Sequence, residues 1–209
     1  MATPNIFRLG ILGSGTGSNC AAIARACASG QIAGEVAVVL SDVVDAGILQ
    51  VAQEKGLPNQ FIAPGGYRTK LDESAEATFI AALEEARVNL VVLAGFMRIL
   101  KGDFMRAFEG RVVNVHPSLL PAFPGLEAWR QALEHGVKYT GATVHFVDQG
   151  VDSGPIIAQQ TVQVWDEDTP ESLRARIQEA EHELYPATIG AIARGEVALD
   201  GRRTKRRRF

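Results

Sequence analysis

Apolar runs and amphipathic segments alternate along the first 116 residues. A short apolar run predicts a buried strand, and apolar positions three or four residues apart predict a helix. The predicted strands are 6–12, 35–40, 59–63, 89–94 and 112–116, and the predicted helices are 19–29, 46–55, 72–86 and 103–108. Strands separated by helices indicate right-handed βαβ units, and therefore an α/β fold with a doubly wound, mostly parallel sheet and a Rossmann-like N-terminal half.

The pattern changes beyond Pro117. The predicted elements there are, in order, a helix at 126–135, a strand at 143–147, a strand at 156–162 and a helix that starts after Thr169. The alternation of apolar and polar residues in the two strands predicts an antiparallel C-terminal extension. Thr169 is a favoured N-cap residue, and Pro170 suits the first helical position. We find no repeat or linker, so we expect a single domain over 1–200.

Charge divides the chain into an acidic body and a basic end. The whole chain has a formal charge of −3, and the six cations between 202 and 208 leave residues 1–201 at −9. Like charges so close together repel, so we expect 201–209 to be a disordered tail, with a weak attraction for RNA as the alternative. The acidic body gives no reason to expect a specific nucleic acid or an anionic membrane as partner.

Two further features concern location. No segment approaches the ~20 apolar residues of a membrane span, and the N-terminus lacks the features of a signal peptide. The two cysteines, Cys20 and Cys27, lie two helical turns apart, which is too far for a disulfide bond. We therefore expect a cytoplasmic protein.

A glycine-rich turn, 13–18, follows the first predicted strand. Glycines before a helix let an anion approach the main-chain N–H groups of the helix N-terminus. No Gly-Lys-Ser/Thr follows, so this is not a Walker loop, and Ser18 replaces the third glycine of a dinucleotide fingerprint. A single phosphate suits the turn better than a pyrophosphate. A tight turn without a ligand stays open, as does a dinucleotide site with Asp42 on the ribose.

The segment 114–125 is the most informative of the chain. Side chains alternate across a strand, so Asn114 and His116 share one face at the end of the fifth predicted strand, and Pro117 ends that strand. Open α/β sheets place ligands at the carboxyl ends of their strands. An amide and an imidazole at this position therefore indicate a ligand site rather than a polar turn.

Four segments together resemble a known family. These are GTGSN at 15–19, LAGFMRIL at 93–100, NVHPSLLP at 114–121 and TVHFVDQGVDSG at 143–154. In this order they are similar to the phosphoribosylglycinamide formyltransferases, and the resemblance extends from about residue 8 to about residue 195. It implies transfer of a formyl group from 10-formyltetrahydrofolate to the amine of glycinamide ribonucleotide in purine biosynthesis. The folate is then a co-substrate, with no tightly bound cofactor, and the enzyme is a monomer or a homodimer.

The resemblance also implies the site residues. Asn114, His116 and Asp152 are the catalytic group. The ribonucleotide would be bound by Gly15, Thr16, Gly17, Ser18, Asn19, Gln178 and Glu181. The folate would be bound by Lys70, Met97, Arg98, Ile99, Leu100, Asn114, Gln149, Gly150, Val151 and Asp152, with Arg68 as the alternative to Lys70 at the glutamate tail. Thr143 and His145 would support the site from behind.

The implied chemistry is physically reasonable. Amine attack on the formyl carbon creates an oxyanion, which hydrogen-bond donors on Asn114 and His116 would stabilise. Asp152 would favour the charged form of His116 or would receive the amine proton, through water, and the sequence does not choose between these roles.

Other function classes stay open at this point. A metal-dependent hydrolase could use His116, His145, Asp152 and His182, although no pair of these has a recognised metal-ligand spacing and we expect no metal. A 10-formyltetrahydrofolate hydrolase shares the central motifs. A dinucleotide-dependent oxidoreductase would use the glycine-rich turn, and a non-catalytic nucleotide-binding module would leave Asn114, His116 and Asp152 unexplained.

Overall fold

The structure, a computed structural model, describes residues 6–206. The strands are β1 Phe7–Leu12, β2 Gly34–Ser41, β3 Asn59–Phe61, β4 Leu90–Leu93, β5 Val112–His116, β6 Tyr139–Phe146, β7 Ile156–Gln163, β8 Val197–Asp200 and β9 Arg203–Arg206. The helices are α1 Ser18–Ala28, α2 Gly47–Glu54, α3 Glu73–Glu85, α4 Gly102–Ala107, α5 Ala128–Glu134 and α6 Pro170–Ala193. Every predicted strand and helix is present.

The sheet has seven strands in the order β3-β2-β1-β4-β5-β6-β7. Strand β1 pairs in parallel with β2 and β4, β2 pairs in parallel with β3, and β6 pairs antiparallel with β7. This arrangement confirms the predicted fold class. Strand order reverses direction between β1 and β4, and open α/β sheets bind their ligands at such a switch point.

The chain forms two compact units with a boundary between Val113 and Asn114, inside β5. The single domain that we expected over 1–200 stays a prediction. In the first unit, β1, β2 and β4 are almost entirely buried, as parallel strands covered on both faces require. In the second unit, α6 packs on β6 and β7 and has its own apolar cluster around Val164, Leu173 and Ile177.

The start of α6 lies where the sequence predicts it. Thr169 is the N-cap, and its hydroxyl accepts a hydrogen bond from the N–H of Ser172 at 3.2 Å. The Ser172 hydroxyl in turn accepts from the N–H of Thr169 at 3.1 Å, which completes a reciprocal capping box. Pro170 follows in the first turn. These contacts explain why the helix begins here.

The basic end differs from the expected disordered tail. Residues 203–206 form β9, which pairs antiparallel with β8, and Gly201 has the positive φ that a tight hairpin turn favours. The Thr204 hydroxyl also donates a hydrogen bond to the carbonyl of Ile156 at 2.8 Å, and Lys205 pairs with Asp200 at 2.6 Å. Charge repulsion is therefore outweighed by strand pairing up to residue 206. Residues 207–209 lie outside the described part of the chain.

Candidate active site

The catalytic group predicted from the sequence lies together in the second unit. Asn114 and His116 lie on β5, and Asp152 lies in the loop between β6 and β7. His116 is 4% exposed, and its Nδ1 lies 3.2 Å from Oδ2 of Asp152. The same carboxylate oxygen accepts a hydrogen bond from the N–H of Gly125 at 2.8 Å. An imidazole and a carboxylate are thus held in direct contact, largely away from solvent.

The other ring nitrogen of His116 also has a partner. Its Nε2 lies 2.8 Å from the carbonyl oxygen of Phe123, an acceptor only, so Nε2 carries a proton in this contact. Phe123 has a φ of 54°, in the left-handed region that non-glycine residues rarely adopt. The two ring nitrogens therefore both face oxygen acceptors, and the site satisfies both N–H groups of an imidazolium.

His145 lies behind Asn114 on β6 and is 2% exposed. Its Nδ1 donates to the carbonyl of Phe146 at 2.9 Å, which leaves Nε2 as an acceptor in the neutral ring. Nε2 lies 3.4 Å from Nδ2 of Asn114 and 3.8 Å from Oδ1 of Asp152. Burial lowers the pKa of His145 below its ordinary value, which favours the neutral ring. The imidazole can therefore accept one N–H of the Asn114 amide and fix the orientation of that amide.

Thr143 has a different role from His145, although both lie on β6. Its hydroxyl donates to the carbonyl of Ser118 at 2.6 Å and accepts from the N–H of Leu120 at 3.0 Å. The side chain of Gln159, opposite Thr143 on β7, donates to this hydroxyl and to the carbonyl of Leu120. Thr143 thus anchors the segment after β5, and none of these hydrogen bonds involves His116 or Asp152.

The loop that carries Asp152 is stabilised by hydrogen bonds to the carboxylate of another loop residue. Asp148 accepts hydrogen bonds from the N–H of Gly150 at 2.9 Å and from the Ser153 hydroxyl at 2.7 Å. Asp152 has a φ of 52°, in the left-handed region, and its side chain contacts His116. The predicted folate residues Gln149, Gly150 and Val151 lie in the same loop and are exposed.

The glycine-rich turn lies in the first unit, between β1 and α1. The N–H groups of Gly13 and Ser14 donate to the carbonyls of Leu40 and Gly95, while those of Gly15 and Thr16 have no protein acceptor among residues 6–206. Gly17 is the N-cap of α1, with a φ of 82°. An added Cβ on Gly17 would lie 2.6 Å from Cα of Ile48, whereas one on Gly15 would enter open space. The turn thus presents main-chain donors at a helix N-terminus, which suits a phosphate.

Side chains along the predicted folate segment 97–100 point alternately to solvent and to the interior. The side chains of Met97 and Ile99 are exposed, at 61% and 40%, whereas Leu100 is buried in the core. Arg98 points inward and pairs with the buried Asp42 at 2.7 Å. Both carboxylate oxygens of Asp42 have protein partners, because Ser14 donates to the second one at 2.5 Å. Asp42 therefore does not have the free carboxylate that a ribose-binding acid needs.

The remaining predicted residues are placed as follows. Gln178 and Glu181 lie half-buried on α6, about one turn apart. Lys70 is exposed, with its ammonium 4.2 Å from the ring centroid of Tyr67, and Arg68 is exposed beside it. The structure of the first unit therefore leaves both cations open as candidates for the glutamate tail.

Two other kinds of reactive centre can be assessed. Burial raises the pKa of the Cys20 thiol to about 12 and that of Cys27 to about 11, so neither is a thiolate nucleophile near neutral pH. Within the described range, no group of three or more His, Cys, Asp or Glu side chains could hold a metal ion. The same residues contain no helix long and apolar enough to cross a membrane.

Comparison with known proteins decides the family. A family model described as formyl transferase matches residues 7–189. The chain belongs to this formyl transferase family. It is 37% identical over 195 residues to the phosphoribosylglycinamide formyltransferase of Bacillus subtilis, which covers 91% of this chain and 99% of that protein. The crystal structure of glycinamide ribonucleotide transformylase 1 from Symbiobacterium toebii superposes with a TM-score of 0.93 at 47% identity, covering 98% of this chain and 95% of that one.

Two other relatives of the chain are larger. The chain is 41% identical over 197 residues to the trifunctional purine biosynthetic protein adenosine-3 of Gallus gallus, which covers 93% of this chain but only 19% of that protein. A formyltetrahydrofolate deformylase from Pseudomonas syringae has a TM-score of 0.90 at 25% identity, and the match covers 97% of this chain and 66% of that one. The fold is thus shared by relatives with more than one named activity.

Three residues that contact or support the predicted site residues were not found from the sequence. Phe123 and Gly125 contact His116 and Asp152 through main-chain atoms, which leave no mark on residue type. Gln159 supports Thr143, and only its place opposite Thr143 in the strand register could have suggested it.

Proposed function

We propose that this chain transfers the formyl group of 10-formyltetrahydrofolate to the amine of 5-phosphoribosylglycinamide in purine biosynthesis. The observation that carries the proposal is the contact of His116 with Asp152, with Asn114 held by His145, in a formyl transferase whose Bacillus subtilis relative has nearly the same length. The folate acts as a co-substrate. The two free thiols, Cys20 and Cys27, support a reducing compartment such as the cytoplasm.

The proposed reaction begins when the amine nitrogen attacks the formyl carbon. The carbonyl oxygen becomes an oxyanion, and the second Nδ2–H of Asn114, which has no protein acceptor among residues 6–206, would stabilise it. The amine loses one proton, which the carboxylate of Asp152 would receive through water. The bond between the carbon and the folate nitrogen then breaks, and that nitrogen takes up a proton.

His116 would donate to the same oxyanion. Its Nε2 donates to Phe123 in this structure, so direct donation requires this nitrogen to exchange the carbonyl for the substrate oxygen. The contact with Asp152 on Nδ1 would hold the ring in place during the exchange. Loss of one oxyanion donor costs on the order of 10²–10³ in rate.

For the ribonucleotide, we assign the phosphate to Gly15, Thr16, Gly17, Ser18 and Asn19, and the sugar hydroxyls to Gln178 and Glu181. The open main-chain donors of Gly15 and Thr16 support the first assignment. For the folate, we assign the loop Gln149–Asp152 and the main chain of 97–100, with Lys70 or Arg68 at the glutamate tail.

The deformylase likeness favours one competing function, hydrolysis of the formyl-folate. The test is release of 5,8-dideazafolate from 10-formyl-5,8-dideazafolate, followed by absorbance with and without glycinamide ribonucleotide. A formyltransferase releases the deformylated folate only when the amine is present. Comparable release with water as the sole acceptor would make the protein a hydrolase.

A further inference from the structure

The planar peptide group between Pro124 and Gly125 is bonded to the carboxylate that contacts His116. Its N–H donates to Oδ2 of Asp152 at 2.8 Å, and the same oxygen lies 3.2 Å from Nδ1 of His116. Its carbonyl oxygen accepts a hydrogen bond from Nε2 of Gln131 at 3.3 Å. In a trans peptide the N–H and the C=O point in opposite directions and cannot rotate independently. A hydrogen bond to the oxygen therefore also orients the N–H.

The side chain of Gln131 holds this segment at two points. A glutamine amide carries two N–H donors on one nitrogen. Besides the carbonyl of Pro124, Nε2 of Gln131 donates to the carbonyl of Leu126 at 2.9 Å. The two acceptors lie on either side of Gly125, so one side chain fixes the main chain before and after the donor to Asp152.

The segment 123–127 depends on such contacts because of its backbone conformation. Phe123, Gly125 and Glu127 have positive φ values of 54°, 86° and 53°. Two of these residues are not glycines, and left-handed backbone at such residues persists only where surrounding contacts fix it. Burial supplies little of that support, since Leu126 is 78% exposed. Hydrogen bonds therefore carry much of it.

Helix α5 holds Gln131 itself in place. Ala128 and Ala132 are fully buried, one on each side of Gln131 along the helix. Trp129 and Leu133 pack against the apolar cluster of the second unit. The amide of Gln131 therefore extends from a helix that is fixed on the core, and it can transmit that rigidity to the segment 123–127.

We propose that Gln131 is a positioning residue for formyl transfer, which acts through the peptide group 124–125 to hold Asp152 against His116. The inference rests on the proposed function, because it takes Asp152 and His116 as the residues that carry the chemistry. Hydrogen bonds in a chain polarise one another, so loss of the bond to Pro124 also weakens the bond from Gly125 to the carboxylate. A displacement of about 1 Å at a reacting group can cost on the order of 10²-fold in rate.

The first measurement is formyl transfer from 10-formyl-5,8-dideazafolate by the full chain and by Gln131→Met. Methionine keeps the length of the side chain and suits a helix, but it has no N–H donor. We expect kcat at saturating substrates to fall about 10- to 100-fold. The KM for the ribonucleotide should change less than about twofold, because none of the hydrogen bonds of Gln131 within residues 6–206 goes to a residue that we assign to the ribonucleotide.

Glu134→Met is the matched control. It places the same side chain at an exposed position of the same helix, three residues after Gln131. Its kcat should stay within about twofold of that of the unmodified chain, as for most surface substitutions. If Gln131→Met does not fold, as judged by thermal unfolding, Gln131→Ala takes its place with Glu134→Ala as the control, since alanine is the best helix former.

The second measurement is independent of turnover. The chain has two Pro-Gly steps, at 64–65 and 124–125. Labelling the proline carbonyls with ¹³C and the glycine nitrogens with ¹⁵N therefore selects two amide signals in the NMR spectrum, and the signal from 64–65 is an internal reference. An N–H that donates to a carboxylate is deshielded, so the amide proton of the step 124–125 should move upfield in Gln131→Met. The same signal should move upfield in Asp152→Asn, which removes the charge of the acceptor.

Each outcome bears on a definite claim. An unchanged kcat in the folded variant, or an amide signal of Gly125 that does not move, would overturn the inference. A change in the KM for the ribonucleotide as large as the loss in kcat would also overturn it, because it would indicate a general distortion. No formyl transfer by the unmodified chain would refute the proposed function instead, and the signal of Gly125 would still decide whether Gln131 orients the donor to Asp152.

Discussion

The contact between Asp152 and His116 can be tested by a double-mutant cycle. Asp152→Asn removes the charge beside His116 and keeps the size of the side chain, and His116→Ala removes the ring. If Asp152 acts through His116, the two losses in kcat will not multiply, because a chain without the ring has little left for Asp152 to influence. If Asp152 acts independently, through a water, the losses will multiply.

The expected size follows from the geometry. Oδ2 of Asp152 lies 3.2 Å from Nδ1 of His116, and a hydrogen bond to a charged group contributes about 1.5–3 kcal/mol. About 1.36 kcal/mol corresponds to tenfold in rate. The product of the two single losses in kcat should therefore exceed the loss in the double variant by roughly 10- to 150-fold. The single variant His116→Ala should lose on the order of 10²–10³ in kcat.

The assay is formyl transfer from 10-formyl-5,8-dideazafolate at saturating ribonucleotide, with kcat measured for both single variants and the double variant. Asp148→Asn is a matched control, because it removes a carboxylate from the same loop that binds Gly150 and Ser153 rather than His116. The loss in kcat that Asp148→Asn causes should be the same in the unmodified chain and in His116→Ala. Multiplicative losses for Asp152→Asn and His116→Ala would refute the coupled mechanism.

Three further predictions concern pH, binding and stability. Burial lowers the pKa of His145 below its ordinary value of about 6.5. As the pH falls below about 6.5, His145 therefore takes up a proton more readily in the unfolded chain than in the folded one, and this lowers the free energy of unfolding. The free energy of unfolding should therefore fall less between about pH 7.5 and about pH 5.5 in His145→Gln, and an equal fall in both chains would contradict the assignment. Gly15→Ala should raise the KM for the ribonucleotide several-fold more than the KM for the folate, because the added Cβ would enter the open space that we assign to the phosphate. Equal changes in the two KM values would argue against a phosphate at the turn. Thr169→Ala should lower the free energy of unfolding in urea by about 1 kcal/mol, whereas Thr169→Ser keeps the capping hydroxyl; a similar loss in both would mean that the cap adds little.

The strand pattern and the turn chemistry made much of the fold predictable. Period-two alternation places Asn114 and His116 on one face of β5 from the residue types alone, and Pro117 fixes where that strand ends. The hydroxyl of Thr169 and the ring of Pro170 locate the start of α6 within one residue. These signals depend only on neighbouring residues, so they can be recognised in the sequence without knowledge of tertiary contacts.

Tertiary contacts account for what the sequence did not reveal. A run of cations indicated a disordered end, yet 203–206 pair with β8, because a strand partner and a hydrogen bond to Ile156 are available. Asp42 looked like a ribose-binding acid until its partner Arg98, 56 residues away, became visible. The pair of Asp42 and Arg98 leaves no trace in composition or periodicity, whereas β8 and β9 form a local hairpin whose Asp200-Gly201 turn is a hairpin signal in the sequence.

The segment after β5 contacts both His116 and Asp152, the residues to which we assign the chemistry. Thr143 and Gln159 hold its beginning through Ser118 and Leu120, which makes that end rigid. At its far end His116 donates a hydrogen bond to Phe123 and Gly125 donates one to Asp152, while the side chain of Gln131 donates to Pro124 and Leu126. The residues that would do the chemistry therefore also hold this end of the segment. If His116 exchanges Phe123 for an oxyanion, the left-handed backbone at Phe123 loses the contact that compensates for its strain. The oxyanion contact would therefore free the backbone at Phe123 alone, while Asp152 still holds Gly125 and Gln131 still holds Pro124 and Leu126.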